Sequence, residues 1–134
     1  MINKLSFRLS VYGVLFFLSL VIIFHILILT QVIPFQIVWG GRLETLSQMR
    51  IFETISIFIN VLMLVVVADK ADYLKLPFST KTITIILWVF VVLFAVNTIG
   101  NLFSKNRLEQ LLFSPLTLLA AILFARIAIE NHTK

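Results

Sequence analysis

The chain has 134 residues, of which 60% are hydrophobic and only 13% charged, with a mean hydropathy of +1.09. Soluble domains carry about 25% charged residues, so this sequence lacks the surface that a water-soluble fold requires, and a lipid bilayer is the solvent that accepts it. The formal charge of +5 comes from Lys and Arg residues that fall singly between apolar runs, which excludes a nucleic-acid partner, and the absence of cysteine excludes disulfides, thiolate catalysis and cysteine-held metals.

A membrane-spanning helix needs about 20 mostly apolar residues. Four runs meet that requirement. The expected fold class is therefore an all-α membrane protein, a four-helix transmembrane bundle forming one domain over 1–134, with helices at 9–31, 46–68, 82–103 and 106–130. Lys4 and Arg8 make a basic front to the first run. The apolar stretch behind them is too long for a signal-peptide core and no small-x-small site follows, so it reads as a retained span.

Residues 32–47 hold Pro34, Trp39, Gly40-Gly41 and Arg42, alternating apolar with turn-forming residues. They read as a flap, surface-lying or re-entrant, with Trp39 at headgroup level. Thr45 and Gln48 have capping-box spacing at the start of the second helix. Asp69-Lys70-Ala71-Asp72 ends that helix, and Pro77 lies in the polar turn before the third. Ahead of the fourth, Asn106 and Glu109 repeat the capping spacing, and Ser114-Pro115 offers a second start. A helix begun at Pro115 would reach Glu130 after roughly 24 Å at about 1.5 Å per residue, short of the roughly 30 Å hydrocarbon core. The expected helix therefore begins at Asn106 and kinks at Pro115, which frees the carbonyl of Leu111.

Four spans put both termini on one side. That side carries Lys4, Arg8, Lys70, Lys75, Lys81, Arg126 and Lys134, and the other carries Arg42, Arg50, Lys105 and Arg107. The excess places the termini in the cytoplasm and the flap outside. On that topology His25, Glu53, Asn97, Asn101, Ser114 and Thr117 all fall in the outer half of the bilayer, with Asn60 near the middle. Glu53, Ile57 and Asn60 follow i, i+4, i+7 on one face, and Asn97 and Asn101 share another. Ser114, Thr117 and Ala121, continued by Ala125 and Ala128, make a small-residue face for close helix approach. Buried polar groups need partners, so these faces are expected to turn toward one another.

An ionisable residue at membrane depth is a functional-site hypothesis by default. Glu53 accordingly heads a candidate ligand-binding set of Glu53, His25, Asn97, Asn101, Asn60, Arg42 and Trp39. Each has a plainer reading. Glu53 can be an interfacial acid paired with Arg50 or Arg42. His25 and the asparagines can be helix-to-helix hydrogen bonds worth about 1 kcal/mol or less each, and Arg126 can snorkel to the terminal face. One histidine and one glutamate do not complete a metal site. With no H-E-x-x-H, G-x-S-x-G or P-loop in the chain, no catalytic residue, metal or cofactor is expected. Asn131-His132-Thr133 matches a glycosylation sequon, a pattern frequent by chance.

The run Val32-Ile33-Pro34-Phe35, then Val38-Trp39-Gly40-Gly41-Arg42, Phe52-Glu53 and Asn60, resembles a group of small uncharacterised bacterial membrane proteins, as does Asn97-Thr98-Ile99-Gly100-Asn101 followed by Ser114-Pro115-Leu116-Thr117. The resemblance implies a four-pass protein of the bacterial inner membrane and no particular activity. In arrangement rather than motif, the chain is also similar to the emopamil-binding and sigma-2 receptor superfamily. Those compact bundles have an inserted first loop, an acid on the second helix and polar residues on the third, and bind sterol-like or amine ligands in an intramembrane cavity. Here the third helix carries no histidine, a departure that bears against sterol isomerisation.

The functional expectation is a protein that binds a small amphipathic or cationic ligand, or a lipid, in an outer-leaflet pocket with Glu53 as the charged contact. A proton-coupled exporter built as a homodimer is a variant of that expectation. Two rivals stand beside it. One is an accessory subunit that packs against a larger membrane complex through the Ala121–Ala125–Ala128 face. The other is an intramembrane enzyme using Glu53 and His25 as acid and base.

Overall fold

The computed structural model describes residues 2–131. His132 and Thr133 of the sequon, and Lys134 of the charge count, lie outside the described residues. The chain is an all-α bundle of four helices, α1 (Phe7–Leu29), α2 (Leu46–Lys70), α3 (Thr80–Leu102) and α4 (Ser114–Ala128), the last preceded by a π-turn over Glu109–Phe113. Each is long and apolar enough to cross a membrane, the fourth when counted from Glu109.

Serine and threonine set the starts. Ser6 Oγ accepts from the amide of Leu9 at 3.3 Å and Ser79 Oγ from that of Thr82 at 3.1 Å. The expected capping box at α2 is present, with Thr45 Oγ1 accepting from Gln48 N and Gln48 Oε1 from Thr45 N. The fourth span starts where expected, with helix from Arg107 behind Asn106, whose Oδ1 accepts from Leu108 N at 2.8 Å, and the irregularity ahead of Pro115 is a π-turn. Pro115 has no N–H to give Leu111, and the ladder adjusts one residue earlier. Ser114 sends both its amide and, at 3.2 Å, its hydroxyl to the carbonyl of Glu109, an i→i+5 pattern that makes the π-turn.

Helix order in space is not chain order. α1 packs on both α2 and α4, α3 packs most extensively on α4, and α2 barely meets α3. α3 buries a single row, Ile83, Leu87, Phe90, Phe94 and Thr98, at the spacing that keeps residues on one helix face. Phe124, fully buried on α4, stacks on Phe94 with ring centroids 5.4 Å apart and meets Phe90 edge-on at 5.7 Å. Ala120, Ala121, Ala125 and Ala128 are buried around it. The small-residue face is therefore consumed inside the bundle, where small side chains permit the close approach that holds helices together in lipid. It is not open to a partner, as the subunit reading required.

Two smaller features close the ends. Beneath the flap, Ile28, Val38, Leu43 and Met49 form a second apolar cluster. At the terminal face Arg126 is only 8% exposed. Its guanidinium is held at that face by the chain itself. Its Nε donates to the Leu5 carbonyl at 2.6 Å, its Nη1 to Glu130 at 2.8 Å, and its guanidinium lies over the Phe7 ring. Lys70 Nζ donates to the Glu130 carbonyl at 2.8 Å. Together they tie the ends of α1, α2 and α4.

Candidate functional site

Glu53 is fully buried, two turns into α2. Its Oε2 meets Nδ1 of His25, one turn from the end of α1, and its Oε1 accepts from Trp39 Nε1 at 2.7 Å. Antiparallel packing of α1 and α2 brings the first pair together, and the flap folds back to deliver the third residue. Sequence reasoning offered Arg50 or Arg42 as the partner of the acid. Both are exposed, and neither forms an ion pair with Glu53. The acid is paired instead with a group that can gain or lose a proton. His25 keeps 16% of its side chain exposed, and its Phe24 neighbour packs edge-on against Phe113 of the π-turn.

Trp39 is held at an unusual price in conformation. Its φ is +56°, followed by Gly40 at +66° and Gly41 at +73°. A bulky residue in the left-handed region costs about 1–3 kcal/mol and persists only where surroundings impose it. Here the indole-to-carboxylate bond and a ring contact with Phe52, centroids 5.1 Å apart, impose it. The glycines follow because an L side chain would be strained at both.

A second carboxylate lies under the same loop. Glu109 is 4% exposed, and both its oxygens accept from the amide of Gly40, at 2.9 and 3.1 Å. No Lys or Arg pairs with it among the described residues. Asn106 Nδ2 donates to the Ile37 carbonyl, and Asn106 N to Ser104 Oγ at 3.0 Å. Glu109 was read from sequence only as the third residue of a capping box. The available signal was its place at the head of a charge-free span, the same signal that singled out Glu53. Consecutive flap residues thus engage buried carboxylates on two different helices.

The remaining candidates fall elsewhere. Arg42 is exposed, with its guanidinium beside Gly40. Asn97 stands one residue off the buried row of α3 and is exposed on the outside of the bundle, and Asn101 is half-exposed on the flank of that row. The expectation that both turn inward toward Glu53 is corrected, because the inward position is taken by Thr98. Its hydroxyl donates to the Phe94 carbonyl and meets Thr117 Oγ1 at 2.8 Å. Asn60 is buried on the Glu53 face, but its Nδ2 bonds back to the Ser56 carbonyl at 2.7 Å and its Oδ1 has no hydrogen-bond partner. The polar groups therefore gather as Glu53–His25–Trp39 between α1, α2 and the flap, Glu109 with Gly40 under the same flap, and Thr98–Thr117 between α3 and α4.

No group of three or more potential metal ligands occurs among the described residues. An open groove of about 570 Å³ lies at the opposite end, lined by Thr84, Trp88 and Glu130 among others. The Glu130 carboxylate there is engaged by Arg126. No family model, curated protein or solved structure matches this chain.

Proposed function

We propose that this protein binds a small amphipathic cation in exchange for a proton at the Glu53–His25 pair, in the outer leaflet of a bacterial inner membrane with both termini cytoplasmic. The carrying observation is the partner of the buried acid. Glu53 has no exposure and is matched to a histidine and an indole rather than to a permanent cation. An uncompensated charge at this depth is costly, and neither an imidazole nor an indole supplies a fixed positive charge to offset it. A lone carboxylate becomes affordable when a cation arrives. An ammonium group replacing the proton preserves neutrality, and its hydrocarbon tail lies in the bilayer. A lysine or arginine partner would have closed the acid to such exchange.

One observation favours a second reading. Both oxygens of Glu53 are already occupied, which also suits a staple joining α1, α2 and the flap. Thermal unfolding in detergent with dodecylamine as the probe separates the two. Binding to the native state at a hundred times the dissociation constant stabilises by about 2.7 kcal/mol. The exchange reading expects that stabilisation in the natural protein, with proton release, and its loss in a folded Glu53→Gln. Collapse of the fold in Glu53→Gln, or undiminished stabilisation by dodecylamine, refutes it.

A further inference from the structure

We infer that residues 39–42 are a lid over the Glu53–His25 pair, latched by Glu109, and that the pair is reached by lifting this lid rather than by parting helices toward lipid; the inference rests on the binding reading above. Four observations converge. The lid is bounded by two anchors, Val38 at 4% exposure and Leu43 at 7%, both buried in the small cluster with Ile28 and Met49. Between them the backbone runs through three successive left-handed residues; the two glycines adopt that conformation freely, while Trp39 holds it at a cost that is released once its ties are cut. Those ties to the helices are two hydrogen bonds, Trp39 Nε1 to Glu53 and Gly40 N to Glu109, and the ring contact of Trp39 with Phe52. The other amides of the tip bond within the flap, Gly41 to Val38 and Arg42 to Trp39. The indole that covers Glu53 is itself 38% exposed, so one ring separates the buried acid from the solvent at this end.

The latch has no other evident purpose. A buried carboxylate has room for about four hydrogen bonds, and Glu109 receives one donor shared between its two oxygens. The π-turn is what aims it there. Because Pro115 withholds its N–H, the helix widens by one residue at Glu109–Phe113, and Glu109 turns toward the flap.

The test needs no bound amine. A water-soluble carbodiimide with glycinamide converts a reachable carboxyl to an amide, read by peptide mass spectrometry at Glu53 against the exposed Glu44 as reference. In the natural protein Glu53 should react slowly. Glu109→Ala, which removes the acceptor of Gly40 N, should raise its rate roughly ten- to a hundredfold, the weight of one hydrogen bond to a charged group, and Glu109→Gln, whose amide oxygen still accepts, should raise it less. In a Trp88→Phe background, where Trp39 is the sole tryptophan, the same changes should increase acrylamide quenching. Unchanged labelling in folded Glu109 variants overturns the lid, as does labelling by the lipid-soluble dicyclohexylcarbodiimide that outruns the aqueous reagent and ignores Glu109. If those variants do not fold, amide exchange in the unmodified protein decides. Residues 39–42 should exchange faster than Val38 and Leu43, and uniformly slow exchange across the flap refutes the proposal. Labelling that stays flat while dodecylamine still binds removes the lid alone; labelling that rises without dodecylamine binding removes the binding reading alone.

Discussion

Replacing Asn60 by leucine should stabilise this protein. Asn60 is 7% exposed in the middle of α2, yet its Oδ1 has no partner. A buried acceptor left unmade costs about 1–3 kcal/mol. The bond that Asn60→Leu gives up, from Nδ2 to the Ser56 carbonyl, is worth about 0.5–1.5 kcal/mol, and that carbonyl keeps its helical partner. Leucine has the same number and branching of side-chain heavy atoms as asparagine, with methyls larger than the amide atoms they replace, and needs no polar contact. The balance is a gain of roughly 0.5–1.5 kcal/mol, or about 2–6 °C in melting temperature for a chain of this size. The assay is reversible unfolding in mixed micelles, followed by helical circular dichroism. Destabilisation by about 1 kcal/mol or more refutes the reasoning. It would mean that the amide meets a water or a ligand in the membrane, and that Asn60 belongs to the polar site after all.

Three further outcomes follow from the same packing. Phe124→Ala should cost about 3–5 kcal/mol, because the ring is fully buried against Phe90 and Phe94; unfolding in the same micelles measures it. Thr98→Val and Thr117→Val, combined in a double-mutant cycle, should show a coupling near 0.6 kcal/mol and no more than about 1.7; additivity would mean that their hydroxyls do not meet. Asn97→Leu should change stability by less than about 0.5 kcal/mol, since that side chain faces outward, and a larger loss would place it back in the interior.

Parts of the site were legible in the sequence because they depend on depth alone. Hydropathy sets where each span begins, so it also sets that His25, Glu53 and Trp39 share one end of the bundle. What depth does not contain is rotation. Asn97 and Thr98 are neighbours at the same level of α3, and which of them turns inward depends on the row begun by Ile83 and Leu87. An almost uniformly apolar helix gives no contrast from which to read that row. The same ambiguity concealed Glu109. Its spacing from Asn106 suits a helix cap, and only the π-turn at Pro115 turns it to Gly40.

The sequence by itself determined the fold class. Where the surroundings are hydrocarbon, every backbone group must bond within its own segment, and four long apolar runs have no solution other than four helices. The tertiary structure alone decided the partnerships: that α1 stands between α2 and α4, that the alanines of α4 are spent inside the chain, and that Glu53 faces a histidine instead of an arginine. The physical reason is that lipid selects helices by composition but does not choose among their faces. That choice falls to close packing and a few hydrogen bonds, and these exist only once the helices have met.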